Sequence, residues 1–170
     1  MSGYARLSFR KKAMIRIAVS GHRNLSPEIT TLIDDAIRSL LTEYAPSLTG
    51  LSCLADGADQ IFARAVIDLG GALEVVTPAR RYREGLPAEA HQEYDALLAR
   101  AEQVHTMDFI ESSAESHMVA SRFMLDHADE LLAVWDGEPA RGYGGTADVV
   151  AEARERGLRI HVIWPEGAQR

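Results

Sequence analysis

The sequence has little cysteine and no long apolar segment. Its 170 residues include one cysteine, Cys53, which excludes a disulfide framework and a cysteine-rich zinc site. A single thiol is typical of a reducing compartment, so we expect a cytoplasmic protein. The longest apolar runs are far shorter than the ~20 residues that cross a bilayer. No stretch near the amino terminus has the apolar length of a signal peptide, so no membrane partner is expected.

Basic residues are outnumbered by acidic ones. The chain has 18 Lys and Arg against 25 Asp and Glu, a formal net charge of −7. Nonspecific binding to nucleic acid relies on Lys and Arg that neutralise phosphates. The charge therefore argues against nucleic acid as a partner, although it leaves room for a small phosphorylated ligand held by local groups.

The composition is that of an ordinary globular domain, with 46% hydrophobic and 25% charged residues. The length predicts one domain over residues 1–170, with an ordered core at about 14–165. The six histidines show no pair at the spacing of metal ligands on a helix, so no metal site is predicted.

Strand-like and helix-like segments alternate along the chain. The patterns predict strands at 14–20, 51–55, 73–77, 103–109, 131–135 and 159–164, with helices at about 26–44, 57–69, 88–102, 112–128 and 146–156. This alternation predicts an α/β fold, a three-layer, doubly wound, Rossmann-like parallel sheet with helices on both faces. With right-handed crossovers we expect strand 1 at the centre and an order near 3-2-1-4-5-6.

A glycine-rich loop precedes the last predicted helix. Gly142, Gly144 and Gly145 come just before Thr146, so backbone N–H groups at a helix N-terminus are placed to hold a phosphate. The alternative is a plain turn with Thr146 as the helix N-cap. The string Gly142-x-Gly144-x-x-Ala147 matches a dinucleotide fingerprint, but it does not follow the first strand, which argues against NAD(P) hydride chemistry. No cofactor is predicted beyond a nucleotide-type ligand.

The other candidate residues follow the strands at which ligands bind in open parallel sheets. Asp56 and Asp59 either cap a helix or contact a ribose hydroxyl. Arg122 lies in an apolar stripe of its helix, where it either extends to water or pairs with a phosphate. The binding candidates outside the glycine-rich loop are Ser20, Gly21, His22, Arg23, Asp56, Gly57, Asp59, Asp136 and Gly137.

Four segments together resemble one superfamily. Ser20–Arg23, Leu54–Asp59, Ala133–Gly137 and Gly144–Ala147 resemble the SLOG superfamily, which groups the DNA-processing protein DprA/Smf with the LOG proteins. The resemblance covers about residues 14–164. It is strongest to small stand-alone bacterial members that are related to LOG proteins and described as Rossmann-like nucleotide-binding proteins.

The resemblance implies binding or sensing of a nucleotide or nucleotide derivative in the cleft at the carboxyl ends of the strands. LOG enzymes cleave the N-glycosidic bond of nucleoside 5′-monophosphates with an Arg and a Glu. Arg122 matches that Arg, but Val149 stands at the position of the Glu. A LOG-like phosphoribohydrolase is therefore the alternative, with Arg122 and Asp148 as its catalytic candidates.

Two further expectations concern partners. By analogy with SLOG proteins we expect a homodimer, which would form through the helix at about 114–128 and its apolar residues Met118, Phe123, Met124 and Leu125. The likeness to DprA implies binding of single-stranded DNA, and the net charge of −7 argues against carrying that property over.

Overall fold

A computed structural model describes residues 13–169. It contains six strands and five α-helices that alternate along the chain. Their bounds are β1 Ile15–Gly21, α1 Pro27–Thr42, β2 Leu48–Ser52, α2 Ala58–Asp68, β3 Ala72–Thr77, α3 His91–Leu98, β4 Gln103–Thr106, α4 Ala114–Asp126, β5 Glu130–Val134, α5 Thr146–Glu155 and β6 Arg159–Ile163.

All strand pairs of the sheet are parallel, which confirms the predicted Rossmann-like α/β class. The order is β4-β3-β2-β1-β5-β6, so the predicted order 3-2-1-4-5-6 is wrong. β4 pairs with β3 at the edge of the sheet rather than with β1. Its four residues are largely exposed, and a short polar strand is suited to an edge, where one face and one side meet water.

The chain returns from that edge to the middle of the sheet through α4, which contacts β3 and β1. β5 then pairs with β1. The strand order therefore reverses between β1 and β5, and in sheets of this kind ligands bind beside that reversal.

The helices cover both faces of the sheet. Ile17 and Val19 of β1 pack with the buried side chains of α1 and α2, while Ala18 faces the opposite way toward those of α4 and α5. This alternation follows from the two-residue period of a strand. Burial on both faces accounts for the nearly continuous apolar runs of β1 and β5.

Some element boundaries differ from the predictions. α4 begins after Ser113, whose hydroxyl accepts from the Ser116 N–H while the Ser116 hydroxyl accepts from the Ser113 N–H. Ser112 and Glu115 also have the spacing of a capping box, which predicts a helix start at 112, but that prediction is wrong by one residue because the Ser113 and Ser116 pair caps the helix instead. α3 is shorter than the predicted 88–102. β4 ends before 109 because the backbone after Met107, whose N–H still donates to the Thr77 carbonyl oxygen, forms a tight turn in which the Phe109 N–H donates to the Met107 carbonyl oxygen.

Three of the four apolar residues that were predicted to form a dimer contact belong to the core, and the fourth, Phe123, is half-buried against it. Met118, Met124 and Leu125 are 2–3% exposed and pack under α4. Their predicted part in a dimer surface is wrong because the helix turns them toward the sheet. No helix among residues 13–169 is long and apolar enough to span a membrane.

Replacing Gly21 by alanine is expected to destabilise the fold. A Cβ at this position would lie 2.4 Å from Ala58 Cβ and 2.8 Å from Val134 Cβ, and overpacking of this kind costs about 1–3 kcal/mol. Denaturant unfolding of Gly21→Ala measures the loss. The matched control is Gly85→Ala, whose Cβ would have no neighbour closer than 3.9 Å; equal stability of the two variants would contradict the packing argument.

Candidate functional site

A two-part pocket lies at the reversal between β1 and β5. Its inner part, the deep cavity, measures about 130 Å³, and its outer part, the outer cleft, about 410 Å³. The two parts share Arg23, His117, Gly144 and Gly145. The deep cavity is further lined by Val19, Ser20, Gly21, Cys53, Ala55, Asp59, Tyr82, Ser121, Met124 and Thr146. The outer cleft is further lined by Gly85, Ser112, Ser113, Ala114, Gly142 and Tyr143.

Two backbone turns pack closely against each other beside the deep cavity. Gly57 has φ +86°, and a Cβ there would lie 2.6 Å from the carbonyl oxygen of His22. The same oxygen accepts a hydrogen bond from the Ala58 N–H. A side chain at position 57 would therefore separate the turn after β1 from the start of α2.

His22 stabilises the turn after β1 and does not line the pocket. Its side chain is buried, and its Nε2 accepts a hydrogen bond from the Asp136 N–H at 3.1 Å. The ring packs edge-on against Trp164. His22 and Asp136 therefore join the ends of β1, β5 and β6, and Gly137, with φ +83°, continues the turn away from the pocket.

Arg23 supplies a positive charge to both parts of the pocket. Its Nε and Nη2 donate to Asp56 Oδ1 at 2.9 and 2.6 Å. Within residues 13–169 no acceptor pairs with its Nη1, so this nitrogen keeps both of its donors. Asp56 thus orients the guanidinium, and the guanidinium retains the planar donor pair that suits phosphate.

The glycine-rich loop ends at the N-terminus of α5, where two backbone N–H groups have no acceptor among the described residues. Gly145 is the N-cap, so Thr146 is the first helical residue rather than the predicted cap. The N–H groups of Thr146 and Ala147 have no acceptor in the described part of the chain. Such unpaired N–H groups, with the helix dipole behind them, attract anions.

Asp148 and Gly144 hold this loop in shape. The Gly144 N–H donates to Asp148 Oδ2 at 2.8 Å. Gly144 has φ +86°, and a Cβ there would lie 3.0 Å from the carbonyl oxygen of Ala114, so a larger residue would move the loop away from α4. Asp148 lies outside both parts of the pocket.

One carboxylate lies within the pocket. Asp59 is the single Asp or Glu that lines either part, and its Oδ2 accepts from the Ala55 N–H at 3.2 Å. Burial raises the pKa of Asp59 to about 7, although the Ala55 hydrogen bond and the charge of Arg23 oppose the shift. At neutral pH this carboxyl group therefore exchanges a proton readily.

Four side chains of the deep cavity that titrate or carry a hydroxyl group were not predicted as site residues. Burial raises the pKa values of the Cys53 thiol and the Tyr82 hydroxyl, and the Tyr82 hydroxyl has no hydrogen-bond partner among residues 13–169. Burial, then the charge of Arg23, lowers the pKa of His117, so its imidazole is neutral at pH 7. Ser121 lies one helical turn beyond His117. The spacing of Ser113, His117 and Ser121 is the sequence signal that identifies this face of α4.

Arg122 lies on a different face of α4. Its Nε donates to Glu152 Oε1 at 2.8 Å, and it lines neither the deep cavity nor the outer cleft. The structure thus brings together Ser20, Gly21, Arg23, Asp59, Gly142, Gly144, Gly145 and Thr146, and places His22, Asp56, Gly57, Arg122, Asp136, Gly137 and Asp148 outside the pocket.

A larger groove of about 550 Å³ lies between α1, α2 and the segment before α3. Asp56 and Gly57 line it. Its lining holds two arginines, Arg38 and Arg64, each already paired with a carboxylate, and four carboxylates, Asp34, Asp56, Glu89 and Glu93. We therefore place the candidate anion site in the deep cavity, where Arg23 and the N-terminus of α5 meet a single carboxyl group. Across residues 13–169 no group of three or more His, Cys, Asp or Glu side chains is arranged to hold a metal ion.

Asp59→Asn is expected to stabilise the protein above neutral pH. The amide oxygen of asparagine can still accept from the Ala55 N–H, while the cost of burying a charge is removed. The wild type binds more protons folded than unfolded between pH 4 and 7, because the pKa of Asp59 rises from 3.8 to about 7, so its stability falls over that window. The variant should exceed the wild type by up to roughly 4 kcal/mol at pH 8 and match it near pH 4, as measured by denaturant unfolding. A stability difference that does not change with pH would contradict the burial of a titrating carboxyl group.

Comparison with known proteins identifies the fold. No family model and no curated protein matches the chain. Among solved structures, DNA processing protein A from Helicobacter pylori, studied for its binding of single-stranded DNA, has a TM-score of 0.67 and 14% identity, over 92% of this chain and 69% of that chain. The chain spans only 52% of DprA from Streptococcus pneumoniae.

Two other structures extend the comparison. TM1055 has a TM-score of 0.52 and 17% identity, over 89% of this chain and 93% of that chain. The molybdenum cofactor binding protein from Rippkaea orientalis has a TM-score of 0.56 and 12% identity, over 87% of this chain and 75% of that chain. At identities of 12–17% these structures share the fold of this chain, and the DprA among them agrees, in the fold, with the resemblance that the sequence segments showed.

These structures correct one expectation. Net charge was used to argue against nucleic acid as a partner, yet a protein of this fold from Helicobacter pylori binds single-stranded DNA. The exclusion is therefore wrong. The total charge of a chain does not report the charge of one cleft, and here the pocket has a cation, Arg23, and a helix N-terminus within an acidic protein.

Proposed function

We propose that the protein binds a nucleotide or nucleotide derivative in the two-part pocket, with a phosphate group between Arg23 and the first turn of α5. The observation that carries the proposal is the meeting of two unsatisfied donor groups at one cavity. Arg23 Nη1 and the Thr146 N–H belong to residues that line the deep cavity, and neither has an acceptor within the described residues.

The dimensions of the two parts support a ligand of this class. The deep cavity of about 130 Å³ has room for a phosphate-sized group, since one water occupies about 30 Å³ in the liquid. The outer cleft of about 410 Å³ has room for a sugar and a planar ring. Tyr143, whose side chain is 57% exposed, lines the outer cleft and offers an aromatic face on which a base can stack.

Binding should be measured on purified protein with a panel of ligands. Adenosine and guanosine monophosphates, NAD, the molybdenum cofactor and a single-stranded oligonucleotide cover the ligand chemistries of interest. A ligand at 100 times its Kd stabilises the folded state by about 2.7 kcal/mol, which a thermal shift detects. Failure of every phosphorylated ligand to stabilise the protein would contradict the proposal.

Arg23→Gln should weaken binding of the best ligand in that panel. Loss of a charge-assisted hydrogen bond costs about 1.5–3 kcal/mol, or roughly 10- to 150-fold in Kd, and calorimetric titration measures it. Arg64→Gln is the matched control, because Arg64 also donates through Nε and Nη2 to one carboxylate oxygen, that of Glu93, but lines the larger groove and not the pocket. Equal loss in both variants would indicate a general effect of charge and contradict the assigned position of the phosphate.

A LOG-like hydrolase is the second candidate, and one observation favours it. N-glycosidic cleavage needs a carboxylate near the ribose, and Asp59 is a carboxyl group within the pocket even though Val149 replaces the glutamate of the LOG motif. Incubation with nucleoside 5′-monophosphates, followed by chromatography for free base, tests this candidate. Release of base that Asp59→Asn abolishes would support hydrolysis, whereas binding without release would leave the protein a binder.

A further inference from the structure

The deep cavity places one carboxyl group beside the groups that attract an anion. Asp59, Arg23 and Thr146 line the same space of about 130 Å³. Asp59 is fixed there, because its backbone oxygen accepts from the Ser52 hydroxyl at 3.1 Å and its Oδ2 accepts from the Ala55 N–H. The side chain of Asp59 therefore cannot turn away when a ligand enters without losing the Ala55 hydrogen bond.

Two negative groups in so small a space repel strongly. The interaction between charges a few Å apart grows as water is excluded and the effective dielectric constant falls. An ionised Asp59 would oppose a phosphate held by Arg23, and a protonated Asp59 would not. The protonated carboxyl group would also gain an O–H that can donate to a phosphate oxygen.

We propose that the pocket takes up one proton together with its anionic ligand, and that Asp59 is the group that accepts it. The inference rests on the proposed function. The proton comes from solvent and forms the O–H bond of the carboxyl group; no covalent bond of the ligand forms or breaks. Ligand affinity would then fall as the pH rises.

The neighbouring groups leave Asp59 as the one that changes charge near neutral pH. Arg23, from the turn after β1, stays cationic. Burial keeps Cys53, after β2, and Tyr82, after β3, protonated by raising the pKa of each. His117 of α4 is neutral at pH 7 and above because its pKa is lowered. Asp56, in the loop before α2, is paired with Arg23 and lines the larger groove instead of the deep cavity. The pKa of Asp59 itself is raised to about 7.

The test compares the affinities of wild type and Asp59→Asn for adenosine 5′-monophosphate from pH 6 to pH 8. Titration of the probe itself cancels in the ratio of the two dissociation constants at each pH. Asp59 has a pKa of about 7, and the proposal requires it to be protonated when the ligand binds. The affinity of Asp59→Asn relative to that of the wild type should therefore rise about tenfold between pH 6 and pH 8. Inorganic sulfate, which does not titrate here, is a second probe and should bind the wild type about tenfold more weakly at pH 8 than at pH 6.

Asp35→Asn is the matched control, since it removes the same charge from an exposed position of α1. The ratio of the dissociation constants of Asp35→Asn and the wild type should not change with pH. Calorimetry in buffers of different ionisation enthalpy should also show uptake of nearly one proton per ligand bound at pH 8 by the wild type and none by Asp59→Asn. Circular dichroism shows whether both variants fold.

The outcomes separate the two proposals. Binding of the nucleotide with a constant Asp59→Asn ratio and no proton uptake would overturn the role of Asp59 and leave the proposed function intact. Absence of binding for both the nucleotide and sulfate at every pH would overturn the proposed function, and this inference with it.

Discussion

The close approach of three backbone segments at the carboxyl ends of β1, β2 and β5 is the constraint on which the pocket depends. Gly21 fits between Ala58 and Val134, and Gly57 lies against the carbonyl of His22. A side chain at either position would force these segments apart. Because both residues are glycines, the turn after β1 packs directly against the start of α2. This contact places Arg23 and Asp59 in the lining of the deep cavity.

The electrostatics of the pocket are local. The chain carries a net charge of −7, yet Arg23 and the N-terminus of α5 provide positive potential within a small, partly enclosed space. Screening by salt limits the reach of surface charges to about 8–10 Å under ordinary conditions, so distant carboxylates change the potential in the cavity less than Asp59 does. Because local and total charge differ in this way, net charge alone does not exclude nucleic acid as a ligand class.

The sequence predicted correctly those parts of the fold that depend on local pattern. The apolar runs of β1 and β5 and the glycines before Thr146 predict the parallel sheet and the loop that meets α5, because periodicity and turn chemistry are local. The position of β4 in the sheet depends on the strand with which it pairs, and that pairing is a long-range contact. The polar sequence at 103–106 was nevertheless a usable sign of an edge strand.

Arg122 was predicted to lie in the site, but it is one position beyond the polar stripe of His117 and Ser121 on α4. Because successive residues of a helix are rotated by 100°, its side chain lies outside the pocket. Tyr82 follows β3 in a loop with no repeating pattern, so only the fold brings it to the cavity.

The central claim is that a phosphorylated ligand binds at the reversal between β1 and β5. Amide chemical shifts of isotope-labelled protein, followed while a nucleoside 5′-monophosphate is added, test it most directly. The account predicts the largest changes at Gly144, Gly145, Thr146 and Ala147, together with the side-chain N–H signals of Arg23. Changes confined to the larger groove, at Leu25, Thr31 and Ile61, would contradict it.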